Sequence, residues 1–185
     1  MKELSLNILD IAENSVKARA SRIEICIEET EQILTLTIAD NGCGMKEEIL
    51  RGVIDPFYTT RTTRKVGLGI PLLKLAAEQT GGSLTITSRH ESEHPDSHGT
   101  EVVAVFDKTH VDFTPMGDVI STLTTLIQGS PEIDFVFRHD APLAHVTLDT
   151  REMREILGAD ISLGNPEILR WIAEYLGEQY GKNNK

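Results

Sequence analysis

Two short alternating runs, with the six residues that follow them, constrain this chain most. In SRIEICIEE, Ile23, Ile25 and Ile27 fall on one face of an extended strand, and in QILTLTIAD, Leu34, Leu36 and Ile38 do the same. Alternation of this kind predicts two half-buried strands, paired antiparallel across the short break between them. Side chains on a strand repeat every second residue, so Asp40 points the way Leu34, Leu36 and Ile38 point. A carboxylate at the margin of a buried face must accept hydrogen bonds or remain costly. DNGCGM, residues 40–45, begins at that acid. Asp-Asn-Gly is a strong tight-turn signal, and a turn joining two strands is its plainest reading. A pocket for a nucleotide base is the other, and the rest of the chain bears on the choice.

From Leu4 to about Ala18, Leu4, Ile8, Ile11, Ala12 and Val16 recur at helical spacing, while Asn7, Asp10, Asn14 and Lys17 share an arc of roughly 80° on another side. A helix with a core face and a polar stripe is predicted there. MKEEILRGV suits a short helix. RGVIDPFYTTRTTRK, residues 51–65, then sets Arg51, Arg61, Arg64 and Lys65 against the single acid Asp55. It is a basic, threonine-rich loop in a chain of net charge −11. VGLGIPLLKLAAEQTGG reads as a glycine-rich lead into a helix, with Pro71 in the first turn, where its missing N–H is harmless, and Gly81-Gly82 as the stop. SLTITS and TEVVAVF are two further strands, joined by RHESEHPDSHG, where the spacing of His90, His94 and His98 is not diagnostic of a metal site.

Beyond Phe106 the pattern changes. DKTHVDFTPMG reads as a connector, DVISTLTTLIQG as a helix, and EIDFVFRHD and AHVTLDT as two strands. DTREMREILG is a short helix capped by Asp149 or Thr150, and NPEILRWIAEYLGEQYG is an amphipathic terminal helix begun by Asn165-Pro166. No catalytic constellation stands in this tail. The organisation expected is a domain over residues 1–107 and a small α+β appendage over 108–185, regulatory or partner-binding. A length of 185 residues allows it. The N-terminal run MKELSLNILDIAENS is too polar for a secretory signal, and no stretch has the unbroken apolar length of a membrane span, so a cytoplasmic protein with no membrane partner is expected. Cys26 and Cys43 are too few for a disulfide framework, and the acidic balance argues against a nucleic-acid surface.

Four features now stand in order: Asp10 and Asn14 one helical turn apart, DNGCGM after a strand, VGLGI opening a helix behind a basic loop, and HGTEV at the start of a strand. In that combination residues 4–107 resemble the GHKL superfamily of ATP-binding domains, shared by DNA gyrase, the ninety-kilodalton heat-shock chaperones, sensor histidine kinases and the mismatch-repair protein MutL. LDIAENSVKARASRIEI is similar to the MutL-type helix and strand, while DPFYTTR and GLGIPLLK look more like the histidine-kinase version. The resemblance implies an α+β chain. It would form a two-layer α/β sandwich of the Bergerat ATP-binding type, in which a mixed, mostly antiparallel sheet is covered by helices on one face.

The same resemblance implies roles. Asp40 would accept the exocyclic amine proton of adenine, Gly42 and Gly44 would let the backbone approach the base, and Met45 would supply an adaptable apolar wall. Asn14 would give an oxygen to a Mg²⁺ that bridges the phosphates, and Lys17 would help neutralise them unless it is simply a solvated helix lysine. Gly67, Leu68, Gly69 and Ile70 open the next helix, whose glycines expose N–H groups to an anion. Thr59, Thr60, Arg61, Arg64 and Lys65 would form a lid that closes on the phosphates, with Phe57 anchoring its base, and Thr100 would share a water with the adenine-binding acid. Asp10 stands where hydrolytic members carry a Glu that activates water, and it is shorter by one methylene. There is no GxxxxGK[ST] loop and no HRD or DFG set.

Histidine kinases carry their phospho-acceptor on a helical domain before the ATP site, whereas only a few residues here precede the first helix. A kinase of this layout, like the stand-alone kinases that act as bacterial anti-sigma factors, would act on a separate protein. The function expected is therefore that of an ATP- and Mg-binding regulatory protein, a histidine-kinase-like ATPase or protein kinase acting on a partner, with a homodimer left open. The alternative is an ATP-dependent conformational switch or interaction module without chemistry.

Overall fold

The alternation of the two runs carries directly into a sheet. The computed structural model describes residues 3–54, 68–158 and 161–182. Within them the chain runs α1 (Leu4–Lys17), β1 (Arg22–Glu29), β2 (Ile33–Asp40), α2 (Glu47–Ile54), α3 (Gly69–Gln79), β3 (Ser83–Arg89) and β4 (Gly99–Asp107). It continues through α4 (Val119–Gly129), β5 (Asp134–Ala141), β6 (Ala144–Asp149), α5 (Thr150–Leu157) and α6 (Pro166–Lys182). The six strands form one sheet in the order β3-β4-β2-β1-β5-β6. Every neighbouring pair is antiparallel except β1 and β5, which run parallel.

One parity of each strand is buried. Ile25 stands opposite Ile38 and Phe137, and Leu36 opposite Ala104, so the apolar columns of adjacent strands form one continuous face. Leu4, Ile8 and Ile11 of α1, Leu73 and Ala77 of α3, Leu123 and Ile127 of α4, and Ile172 and Leu176 of α6 pack into the core with that face. The opposite face carries solvated ion pairs such as Arg22–Glu24 at 2.7 Å and Arg138–Glu28 at 3.4 Å. This is the two-layer sandwich with a mixed, mostly antiparallel sheet that the motifs imply.

The described residues beyond 107 are built into the same sheet and helical layer. A parallel neighbour needs a crossover, and α4, packed against α1, carries the chain from β4 over the helical layer to β5. Nothing in the alternation of FVFRHD names β1 as its partner. The connector before α4 also serves α1: the backbone N–H groups of Leu4 and Ser5 donate to the carbonyls of Pro115 and Met116 at 2.9 and 2.8 Å. Those bonds satisfy orphan donors where Glu3, the N-cap residue, offers no side-chain cap.

The polar stripe expected on α1 needs a correction at Asn7. That residue is fully buried, and neither polar atom of its amide has a hydrogen-bond partner among the described residues. Because α3 and α4 flank α1 while the sheet lies beneath it, the covered surface of the helix is wider than the face marked by its apolar residues. Among the described residues, no helix is long and apolar enough to cross a membrane.

Candidate nucleotide site

Strand β2 delivers Asp40, half-buried, to the end of the sheet, where α1 passes over it. The Ser15 hydroxyl donates to Asp40 Oδ2 at 2.6 Å, and the Gly42 backbone N–H donates to Oδ1 at 2.9 Å. Two donors thus meet the need that parity imposed on this carboxylate. Asn41 faces the other way and ties the strands together. Its Oδ1 accepts from the N–H groups of Ser21 and Arg22 at 3.0 and 2.9 Å.

The chain then turns toward the β3–β4 hairpin. Gly44 has φ of +66°, and a Cβ there would lie 1.9 Å from the Arg89 carbonyl oxygen, so only glycine fits. Met45, partly buried, donates its N–H to Ser88 Oγ at 2.8 Å. Ser88 Oγ also lies 2.9 Å from Thr100 Oγ1. Thr100 stands opposite Asp40 in the β2–β4 register, but its hydroxyl is engaged by Ser88. Gly99, with φ of +140°, lets β4 come so close that a Cβ would sit 2.0 Å from the Asp40 carbonyl oxygen. Between these elements lies an open groove of about 510 Å³, with Asp40, Leu50, Ile86, Ser88, His98 and Thr100 in its walls.

The phosphate-side residues are placed as follows. Asn14 is half-exposed beside Ser15, and Asp10, one turn earlier, is exposed. A Cβ on Gly69 would lie 3.0 Å from Asp10 Cβ, so the start of α3 rests against that turn of α1. Leu68, the N-cap residue of α3, offers no side-chain cap, and the first N–H groups of that helix have no intrahelical partner. Leu68 is 70% exposed and Ile70 is buried. Lys17 is exposed and pairs with Glu13 at 3.6 Å. Phe57, Thr59, Thr60, Arg61, Arg64, Lys65 and Gly67 lie outside the described residues.

The Asn14 amide oxygen is a hard donor suited to Mg²⁺, which takes few protein ligands and fills its shell with water and phosphate oxygens. Among the described residues, no group of three or more His, Cys, Asp and Glu side chains could hold a metal. Ser15 and Ser88 escaped the sequence reading, and His98, weighed there only as a metal ligand, instead meets the Gly42 carbonyl. Ser15 could have been found, since it sits four residues after Ile11 on the buried side of α1. Ser88 and His98 become neighbours of the turn only through strand register.

A mixed sheet with one helical layer, an acid closing a central strand, a glycine turn after it and a Gly-Thr start to the adjacent strand together define the fold of a Bergerat-type ATPase domain. Residues 2–110 match the family model described as "Histidine kinase-, DNA gyrase B-, and HSP90-like ATPase", and the chain belongs to that family. It is 36% identical over 76 residues to the C4-dicarboxylate transport sensor protein DctB of Pseudomonas aeruginosa, a match covering 40% of this chain and 12% of that protein. It is 30% identical over 94 residues to the sensor protein KdpD of Clostridium acetobutylicum, covering 48% of this chain and 10% of that one. The chain thus spans a small part of the length of these relatives. Among solved structures, the Aquifex aeolicus MutL ATPase domain complexed with ADP superposes with a TM-score of 0.54, covering 85% of this chain and 69% of that one at 15% identity. That likeness is one of fold.

Proposed function

We propose that this protein is an ATP- and Mg²⁺-binding regulatory protein of the cytoplasm, a histidine-kinase-like ATPase or protein kinase that acts on a separate partner protein. The observation that supports this most is the Asp40 carboxylate, held by Ser15 and the Gly42 N–H in the wall of a groove. With both its donors supplied by the protein, it keeps lone pairs for the amino group of adenine. Asn14 would hold Mg²⁺, which when bound neutralises and aligns the phosphates. The start of α3, where Leu68 offers no side-chain cap, would offer N–H groups to the same phosphates. Asp10 would orient the attacking water or hydroxyl and take up its proton. We further assign residues 1–107 to nucleotide binding and 108–185 to a regulatory or partner-binding role.

Calorimetric titration with an ATP analogue and Mg²⁺, followed by phosphate release from ATP, tests this. Binding lost in Asp40→Ala, together with slow release abolished in Asp10→Asn at undiminished affinity, is the expected result. Unaltered binding in Asp40→Ala would refute the base pocket. The exposure and short reach of Asp10 favour a second reading, an ATP-dependent switch without turnover. Tight binding with no phosphate release, with or without candidate partners, would decide for it.

A further inference from the structure

Gly42 is held at both of its backbone polar atoms. Its N–H donates to Asp40 Oδ1 at 2.9 Å, and its carbonyl oxygen lies 2.6 Å from His98 Nδ1, 56 residues away in sequence. A carbonyl can only accept, so the proton of that bond sits on Nδ1. His98 comes from the end of the β3–β4 connection, beside Gly99, and stands in the wall of the groove with Asp40 and Thr100. The rest of the turn is gripped on both sides. Cys43 N–H donates to the Ala18 carbonyl at 2.9 Å, Glu91 N–H donates to the Cys43 carbonyl at 2.9 Å, and Met45 N–H donates to Ser88 Oγ at 2.8 Å. An ion pair between Arg19 and Glu91 at 3.2 Å spans the same gap.

The two peptide groups flanking Gly42 meet at a residue without a Cβ, so the chain itself does little to fix their relative orientation. Space is tight, since a Cβ on Gly42 would meet the Ala18 carbonyl oxygen at 2.8 Å and Asp40 Oδ1 at 3.1 Å. One of those peptides aims the N–H at Asp40, and the other is anchored at its N–H by the Ala18 carbonyl and at its oxygen by His98.

We propose that His98 is a positioning residue for base recognition. Its Nδ1–H fixes the Gly42–Cys43 peptide, which keeps the preceding N–H on Asp40 and the free lone pairs of that carboxylate turned to the amino group of an adenine nucleotide. The proposal rests on the nucleotide-binding function proposed above. It makes the β3–β4 connection, remote from α1 in sequence, part of the specificity of the pocket.

The test is calorimetric titration of the full chain with ADP and with inosine diphosphate, whose base carries an oxygen where adenine carries the amine. Loss of one such hydrogen bond in His98→Ala should weaken ADP by about three- to tenfold and narrow the preference for ADP over inosine diphosphate by a similar factor. Asparagine places an amide N–H close to where histidine carries Nδ1, so His98→Asn should restore ADP affinity to within about twofold, while His98→Gln, whose amide sits nearer the Nε2 position, should not. Wild-type affinity and discrimination in His98→Ala would overturn the proposal. So would equal weakening in His98→Asn and His98→Ala, which would assign the effect to ring packing. Asp40→Ala separates the two levels: if it binds ADP as tightly as the unaltered protein, the nucleotide site itself is misassigned and the proposal falls with it.

Discussion

Glu29→Gln should flatten the acid limb of the stability profile. Glu29 ends β1 on the same parity as Ile23, Ile25 and Ile27, so strand geometry carries a carboxylate into the far end of the core, away from Asp40. Its Oε1 lies 2.9 Å from His139 Nε2, its Oε2 pairs with Lys108, and its side chain is only 15% exposed. The His139 hydrogen bond foremost, then the bond and charge of Lys108, outweigh burial and hold this carboxyl at about 2 against an ordinary 4.5. At about 1.4 kcal/mol per pH unit, that gap is worth about 3 kcal/mol. The folded-state pKa is depressed, so the contribution is fully present above 4.5 and is lost as pH falls toward 2. More than half of it is gone by about pH 3. Urea unfolding of both proteins, followed by circular dichroism at a series of pH values from 7 to 3, measures it. The variant should be less stable by about 3 kcal/mol at neutral pH, and the difference should shrink steadily through the acid range. A difference as large at pH 3 as at pH 7 would refute the reasoning, because the stabilisation would then not come from the ionised form of Glu29.

Three further outcomes follow from single side chains. Asn7→Leu replaces a fully buried amide that has no partner among the described residues with an apolar side chain of the same branching, and should raise the urea midpoint by an amount equivalent to about 1–3 kcal/mol with an unchanged slope. Gly44→Ala forces a Cβ to 1.9 Å from the Arg89 carbonyl at a positive φ, and should cost about 2 kcal/mol or more in thermal unfolding. Gln179 receives the Thr147 N–H at 2.9 Å and donates to the Thr147 carbonyl at 2.9 Å along the β6 edge, so Gln179→Ala should lower stability by about 1–2 kcal/mol, seen as a drop in Tm.

Much of this molecule is legible in local pattern. Period-two alternation located β1, β2 and β4, helical spacing located α1 and α6, and strand parity alone put Asp40 on the buried face with an obligation to find donors. Such features depend on the repeat of the backbone, which any stretch of chain carries with it. The order of four short motifs similarly pointed to the family, because each motif reports a local backbone conformation.

What the tertiary structure decided is which distant groups meet. The side-chain donor to Asp40 is Ser15 because α1 crosses β2 at that level. Thr100 is engaged by Ser88 because the β3–β4 register sets them side by side. Asn7 is buried because helices flank α1 on two sides, so its polarity misleads. Strand β5 lies parallel to β1 because α4 carries the chain across the helical layer, and that same crossing lets Glu29, His139 and Tyr180 close one network. A residue's own face follows from its backbone period, but its partners depend on crossovers and register, which sum the packing of the whole chain.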